Sequence, residues 1–316
     1  MTKTLKLRWV LAHVPYDLFL RSANAFSRAV AEKTNGAIEI EVMGKNEWIE
    51  KYNGGRDITN HEFMKLVDMG AIEMSQTYST VLGAFNKEWY VLDMPFLFSD
   101  HDHAARVLDG EVGEYLKDTM AESTNVKPLA FTYSGGYKML ALNKRAESIE
   151  DLKGMKLRCA GNPISETYIR AIGAEPQALG VDGFADAVAA GEVEGGENVF
   201  PRYFRSNVDK VTTTVANTEH SLFLTSIVIN KKTWDKLTAE QQEILRESAQ
   251  IAAKEERHES LVDGAAAIER CAQEGIEVVE WSDESIAEFK AAVEPVYQQF
   301  ADYFSNKDIV DQIKKA

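Results

Sequence analysis

The fold of this chain is decided by its opening stretch, residues 5–42, which reads LKLRWVLAHVPYDLFLRSANAFSRAVAEKTNGAIEIEV. Apolar side chains alternate with polar ones over residues 5–11 and again over residues 38–42, as they do in half-buried strands. Between these strands, apolar residues recur at helical spacing from Phe19 to Val30, and the pattern stops at the Asn-Gly pair that follows. A strand, a helix and a second strand in this order favour parallel pairing, with the helix packed on the sheet.

The same succession of helical and strand patterns continues through most of the chain. We predict helices over residues 63–69, 101–108, 112–120, 163–172 and 182–190, and strands over residues 126–133, 138–143, 155–159 and 221–230. The Ser-Gly-Gly segment at 134–136 is predicted to separate two of these strands. The patterns predict an α/β fold with mixed sheets flanked by helices.

One long helix is predicted in the C-terminal third. Thr238 and Gln241 have the spacing of a capping box, and no strong helix stop follows until Gly275, with Gly264 as the one weak point. An uninterrupted helix here has a length of roughly 50 Å, more than one small lobe covers. We therefore expect two lobes with this helix spanning both. A coiled coil is disfavoured because no sustained apolar seam appears. The chain has no Pro-, Gly- or Ser-rich linker, which favours hinge bending.

The composition is that of a globular chain of 316 residues, of which 45% are apolar. No apolar run approaches the roughly 20 residues that span a bilayer. The net charge is −15 and the basic residues are scattered, which argues against nucleic acid or an anionic membrane surface as a partner. A bound anion therefore has to be attracted by a local positive site. Residues 1–4 contain no apolar signal region, so a cytosolic protein and an exported one whose leader was removed are both open.

The sequence contains no complete catalytic or metal-binding motif. Cys159 and Cys271 belong to no CxxC pair and are predicted to be buried small apolar residues, with a disulfide left open in an oxidising compartment. His101 and His103 flank Asp102 at a predicted helix start, an arrangement more typical of a solvated cap than of metal ligands. No phosphate-binding loop, nucleophile elbow or dinucleotide fingerprint is present. We predict no enzyme activity, catalytic residue, metal or cofactor.

Five segments of the chain occur together in the order and spacing of one protein family. They are LAH at 11–13, LDMPFLF at 92–98 followed by His103 and VLDG at 107–110, IEDLKGMKLR at 149–158, AAGEVEGGEN at 189–198, and LTAEQQ at 237–242. In these segments the chain resembles the solute-binding proteins of tripartite ATP-independent periplasmic (TRAP) transporters, of the dicarboxylate-binding type. The similarity covers essentially the whole chain, and DLKGMKLR together with GGEN is its most specific part.

This resemblance implies a two-lobe periplasmic-binding-protein (flytrap) fold whose lobes close on a ligand in the cleft between them. We place lobe I at residues 1–135 with 224–262, and lobe II at residues 136–223 with 263–316. The family implies a location in the periplasm, capture of a small organic anion (a carboxylate), and delivery to the membrane permease subunits of a TRAP transporter. We expect a monomer, because a flytrap has to open and close.

The resemblance also implies which residues hold the carboxylate. In the family this is an arginine at the end of the strand after the DLKG turn, here Arg158, and a planar guanidinium suits the role because it donates two parallel hydrogen bonds. Asn198 matches the asparagine that binds the same carboxylate. Lys138 stands where the family often has a second arginine, and its compact ammonium cannot form that fork. Tyr137 takes the place of Lys138 if the register shifts by one.

Further ligand contacts are implied by position in the family. His13 precedes a helix N-terminus, where backbone N–H groups favour anions, and Gln76 stands where some relatives carry an acid that contacts polar ligand groups. Val181 stands where relatives can have a bulky aromatic. The aromatic candidates are Trp48, Tyr52, Tyr78 and Tyr203. Aromatic side chains at such spacing are more often core residues than ligand contacts.

Two other functions fit the same architecture: an enzyme that transforms a small organic acid, and a ligand-sensing module that reports to a receptor. Turnover distinguishes the enzyme, because a binding protein returns its ligand intact. The ligand itself stays open among dicarboxylates, sugar acids, hydroxy or keto acids, aromatic acids and sulfonates.

Overall fold

The computed structural model describes residues 4–12 and 17–316 of the chain. The chain divides into two compact units, each made of three segments. Unit 1 consists of Met1–Asn86, Ala105–Ser134 and Leu224–Glu259, and unit 2 consists of Lys87–Ala104, Gly135–Phe223 and Ser260–Ala316.

Helices and strands alternate along the chain, as the sequence patterns predicted. The strands are β1 (Leu5–Leu11), β2 (Ile38–Met43), β3 (Met74–Tyr78), β4 (Val126–Tyr137), β5 (Met139–Leu142), β6 (Lys156–Cys159), β7 (Glu175–Ala178), β8 (Gly195–Asn198), β9 (Thr214–Asn217), β10 (Leu222–Asn230) and β11 (Glu277–Glu280). The α-helices are α1 (Asp17–Thr34), α2 (Lys45–Tyr52), α3 (Asn60–Met69), α4 (Ser79–Gly83), α5 (His101–Asp109), α6 (Glu111–Ser123), α7 (Pro163–Ala171), α8 (Phe184–Ala189), α9 (Phe200–Tyr203), α10 (Lys231–Trp234), α11 (Ala239–Glu274), α12 (Asp283–Phe300) and α13 (Ile309–Lys315).

Unit 1 is built on a five-stranded sheet in the order β2-β1-β3-β10-β4. β1 pairs in parallel with both β2 and β3, and β10 runs antiparallel to β3. Helix α1 connects β1 to β2 and buries Phe19, Ala23, Phe26 and Val30. The parallel β-α-β opening predicted from residues 5–42 is thus confirmed.

Unit 2 is built on a six-stranded mixed sheet in the order β11-β9-β5-β8-β6-β7. β6 pairs in parallel with β7 and β8, whereas β5 runs antiparallel to β8 and β9. The two sheets flanked by helices confirm the predicted α/β class. Strand β4 continues to Tyr137, so the predicted break at 134–136 is wrong. Gly135 and Gly136 have φ values of 110° and 86°, which glycine allows inside a strand.

The predicted long helix is confirmed as α11, which has 36 residues. Its start is the predicted capping box, because the Gln241 N–H donates to Thr238 Oγ1 at 3.2 Å and the Thr238 N–H donates to Gln241 Oε1 at 2.9 Å. The helix begins in the last segment of unit 1 and ends in the last segment of unit 2. None of the helices within residues 4–12 and 17–316 combines the length and apolarity needed to cross a membrane.

Residues 87–104 belong to unit 2, whereas our division of the sequence put them with lobe I. Two contacts with the C-terminal segment explain the difference. The Ser305 N–H donates to Glu88 Oε1 at 2.8 Å, and the His103 ring Nε2 lies 2.7 Å from the Ile313 carbonyl oxygen. These partners are more than two hundred residues apart, so no local pattern reveals them. The lobe boundaries themselves stay a prediction.

Candidate functional site

Arg158 lies on β6 of the unit 2 sheet, between β8 and the edge strand β7. Its Nε–H donates to the Leu179 carbonyl at 2.7 Å and its Nη1–H donates to the Glu197 carbonyl at 2.8 Å. The side chain is almost entirely buried, with the residue 8% exposed. These two carbonyls fix the orientation of the guanidinium, which suits a group that binds an anion.

Gly196 allows this placement, since it pairs with Arg158 across β8 and β6. A Cβ on Gly196 lies 2.4 Å from the Arg158 carbonyl oxygen and 2.6 Å from its backbone nitrogen, closer than atoms pack. Glycine is therefore required at position 196 for steric reasons, because any side chain there would collide with the backbone of β6.

We expect Gly196→Ala to lower the free energy of unfolding by about 1–3 kcal/mol, as overpacking does, and to weaken anion binding by displacing Arg158. Denaturant titration and calorimetry measure the two effects. Gly180→Ala is the matched control, because a Cβ there meets nothing within 4 Å. Wild-type stability and binding in Gly196→Ala would show that the strand spacing does not depend on this glycine.

Asn198 ends β8, directly after the residue whose carbonyl binds Arg158. Its Oδ1 accepts the Val199 N–H at 2.8 Å and its Nδ2 donates to Ser206 Oγ at 3.3 Å. The backbone thereby brings Arg158 and Asn198 to the same end of two neighbouring strands. Their predicted shared role with a carboxylate fits this placement and stays a prediction.

Glu197 is the centre of a buried polar cluster that the sequence analysis missed. Its Oε1 accepts hydrogen bonds from Lys138 Nζ at 3.1 Å and from the Tyr168 hydroxyl, and lies 3.2 Å from His220 Nε2. Its Oε2 accepts the Ala160 N–H at 3.2 Å. The signal that could have revealed this cluster is the acid within the Gly-Gly-Glu-Asn strand, because an acid buried in a sheet requires a cation as partner.

The electrostatics of this cluster follow from burial and from the ion pair. Burial opposes ionisation of Glu197, but Lys138, His220 and Tyr168 outweigh it and hold the pKa of Glu197 below its usual range. Burial raises the pKa of Tyr168 well above its usual value, and Glu197 adds to the effect. Burial lowers the pKa of His220, although Glu197 opposes this. At neutral pH the cluster therefore consists of one ion pair with a neutral phenol and a neutral imidazole.

Lys138 is thus already paired within the protein. The residue is 2% exposed, and its Nζ also lies 5.6 Å from the centre of the Phe223 ring. Its predicted contact with a second anionic group stays a prediction, but the charge available for such a contact is shared with Glu197. Tyr137 is half-buried, and its hydroxyl donates to the Phe98 carbonyl at 3.4 Å.

The unit 1 candidates lie in three different settings. Gln76 is fully buried, and its Nε2 donates to Thr132 Oγ1 at 2.9 Å and to Thr225 Oγ1 at 3.0 Å. Trp48 and Tyr78 are buried, and Tyr52 is exposed beside Trp48 with 5.9 Å between ring centres. His13 lies outside the described residues. None of these contacts tests a ligand role, which stays a prediction for each residue.

Four other residues singled out in the sequence are buried in unit 2. Tyr203 is fully buried in an apolar core, and its hydroxyl shares a hydrogen bond with Thr212 Oγ1 at 2.9 Å. His103 is buried against the C-terminal segment rather than being part of a solvated cap, and Asp100 Oδ1 accepts its N–H at 2.7 Å. Cys159 and Cys271 are both buried, as predicted, and both are free thiols. Burial raises the pKa of each thiol to about 11.

Comparison with known proteins gives consistent matches along the chain. The model of a family described as bacterial extracellular solute-binding protein, family 7, matches residues 14–303. A solute-binding protein of Verminephrobacter eiseniae is 29% identical over 294 residues, which cover 93% of this chain and 84% of the relative.

Two solved structures of TRAP periplasmic solute-binding proteins are similar over nearly their whole length. One, from a Bradyrhizobium species and in complex with α/β-D-galacturonate, is 26% identical with a TM-score of 0.87 and covers 98% of this chain and 100% of its own. The other, from Pseudomonas putida F1 with bound D-glucuronate, is 26% identical with a TM-score of 0.86. The match covers 99% of this chain and 97% of that structure's chain.

Proposed function

Because the chain belongs to family 7 of the bacterial extracellular solute-binding proteins, we propose that it captures a hexuronate such as D-galacturonate or D-glucuronate in the periplasm. It then delivers the sugar acid to the permease subunits of a TRAP transporter, and it acts as a monomer. Membership of the family confirms the resemblance and the solute-binding function predicted from the sequence. The ligand class is proposed because two similar structures hold these sugar acids.

The observation in this chain that carries the proposal is the buried guanidinium of Arg158. It is held by the carbonyls of Leu179 and of Glu197, the residue before Asn198. A guanidinium has five N–H donors in a planar fork, and these two bonds use one on each of two nitrogens. A carboxylate that binds the fork is held in orientation as well as position. Asn198 then adds an amide donor to the same acid group.

The sugar part of the ligand is assigned to the remaining candidates. Aromatic faces and side-chain amides are the groups that bind the rings and hydroxyls of such ligands. Trp48, Tyr78 and Gln76 supply these groups in unit 1, and Tyr137 and Tyr203 supply phenols in unit 2. His13, which lies outside the described residues, is assigned a further donor role from its position in the sequence.

The proposal includes the absence of catalysis. Similar proteins are solute-binding proteins of transporters, and a binding protein releases its ligand unchanged. Incubation with D-galacturonate followed by mass spectrometry of the released compound tests this part. An unchanged mass and an unchanged sugar signal support binding alone, and any product would assign the chain to the enzyme alternative.

A panel of ligands in a thermal unfolding assay tests the ligand class. We expect D-galacturonate or D-glucuronate to raise the melting temperature, since a ligand at a hundredfold excess over Kd stabilises by about 2.7 kcal/mol. D-galactose and D-glucose are matched controls that differ from the uronates only in lacking the carboxylate. Stabilisation by the neutral sugars to the same extent, or by succinate and not by either uronate, would contradict the proposal.

A further inference from the structure

A second buried acid, Asp93, lies close to the Lys138–Glu197 ion pair. Asp93 ends the short 3-10 helix Lys87–Asp93 and is 1% exposed. Its Oδ2 has no hydrogen-bond partner among residues 4–12 and 17–316. The charged side chains that act on Asp93 are Lys138 and Glu197. The site described above assigns no role to this acid.

Backbone hydrogen bonds bring the segment that follows Asp93 close to Lys138. The segment after Asp93 is hydrogen-bonded to the residues just before β10, since the Phe96 N–H donates to the His220 carbonyl at 2.7 Å. The Lys138 N–H donates to the carbonyl of the next residue, Ser221, at 2.8 Å. Phe96 and Lys138, from two distant parts of the chain, are therefore held on adjacent residues. Asp93 is three residues before Phe96, and the charge of Lys138 acts on it.

The charge of this cluster depends on Asp93. Lys138 and Glu197 cancel each other, and His220 is neutral at neutral pH because burial lowers its pKa. Tyr90 and Tyr168 are the phenols that interact with Asp93, and both are neutral because burial raises their pKa values. Burial raises the pKa of Asp93 to about 7, with Lys138 opposing and Glu197 adding to the shift. The cluster is therefore neutral at acid pH and carries one negative charge at alkaline pH.

Glu197 connects this cluster to the proposed ligand site. The Glu197 carbonyl binds Arg158, and Asn198 is the next residue, so the cluster adjoins the groups proposed to hold a carboxylate. One carboxylate on the ligand is matched by Arg158. A second carboxylate finds no uncompensated cation at Lys138 and is repelled once Asp93 ionises, because like charges in a desolvated site repel strongly.

We propose that Asp93 is a specificity-determining residue, which keeps the Lys138–Glu197 cluster neutral or negative and so restricts the site to ligands with one carboxylate. The inference rests on the proposed function and narrows its ligand class. It distinguishes a sugar acid with one acid group from an aldarate or a dicarboxylate.

The test uses two sugar acids with the same carbon chain that differ at C1, and because galactarate cannot close a pyranose ring, the pH dependence of the Kd ratio rather than its absolute value reports the charge effect. D-galacturonate has one carboxylate, and galactarate has a second one in place of the aldehyde carbon. Calorimetry from pH 5.5 to 8.5 gives the ratio of their Kd values, and both carboxylates are ionised throughout this range. In wild type we expect galactarate to bind more weakly, with the ratio rising about tenfold over the range. This corresponds to a rise of about one unit in the pKa of Asp93 when the dianion binds.

Asp93→Asn keeps the shape of the side chain and removes its charge, so we expect a ratio that does not change with pH. Asp102→Asn is the matched control, because it removes the same charge from an exposed position in the same unit and should leave the wild-type pH dependence. If D-galacturonate binds and the ratio has the same pH dependence in wild type and Asp93→Asn, the inference is wrong and the proposed function stands. If neither sugar acid binds wild type at any pH, the proposed ligand class is wrong and the inference fails with it.

A titration without ligand keeps the inference testable if Asp93→Asn does not fold. The ¹³C chemical shift of the Asp93 carboxyl in wild type should titrate near pH 7. Lys138→Met should raise this midpoint, because the cation that favours the ionised form is lost. A midpoint below pH 5 would overturn the inference.

Discussion

Replacing Arg158 by alanine should weaken the binding of D-galacturonate by about 2–5 kcal/mol, which is about 30-fold to several-thousand-fold in Kd. The loss is large because the guanidinium is buried and already oriented by the carbonyls of Leu179 and Glu197. Removal leaves the carboxylate of the ligand without its charged partner in a site that excludes water. Titration calorimetry of the variant and of wild type measures the difference directly.

Two further variants separate charge from geometry. Arg158→Lys keeps the charge but not the planar fork, so its affinity should fall between those of wild type and Arg158→Ala. Arg170→Ala is the matched control in unit 2, because Arg170 is exposed and pairs with Glu166 one helical turn away. Unchanged affinity in Arg158→Ala would show that another cation holds the carboxylate.

Replacing Glu197 by glutamine should lower the free energy of unfolding by about 3–5 kcal/mol, the cost of leaving a buried charge without its partner. Lys138 is almost completely buried, and Glu197 is its anionic partner in the ion pair. Glutamine has nearly the same shape, so the loss measures charge more than packing. Urea denaturation followed by circular dichroism gives the stability of both forms.

The double variant Lys138→Met/Glu197→Gln should recover part of this loss, because it removes the unpaired cation together with the acid. Glu192→Gln is the control, since Glu192 is exposed five residues earlier and such substitutions usually change stability by less than about 0.5 kcal/mol. A double variant as unstable as Glu197→Gln would show that the charge of Lys138 is not what destabilises the single variant.

Local patterns in the sequence predicted most of the fold. The alternation over residues 5–11 and 38–42 predicted parallel strands, and the structure pairs Leu5 with Ile38 and Val10 with Met43. The capping box at Thr238 predicted the start of α11 to the residue. These features depend on side chains within a few residues of each other, and such interactions are fully present in the local sequence.

Features that depend on distant residues could not be predicted in this way. Glu197 is 59 residues from Lys138 and 23 residues from His220 in the chain, and only the folded sheet brings them together. The continuation of β4 through two glycines was missed because Gly135 and Gly136 are typical of a turn, whereas here they lie within a continuous strand with positive φ values. Arg158 and Asn198 were predicted through resemblance to the family, because the sequence around an arginine on a strand does not show whether that arginine binds a ligand.

Calorimetry of wild type with D-galacturonate, beside D-galactose as the matched neutral sugar, tests the central claim most directly. We expect one site per chain with a Kd at or below about 10 μM for the uronate, equivalent to about 7 kcal/mol of binding free energy. We also expect no measurable binding of D-galactose, and recovery of the uronate unchanged from the complex. Equal binding of both sugars, or no binding of either D-galacturonate or D-glucuronate, would contradict a carboxylate-dependent uronate receptor.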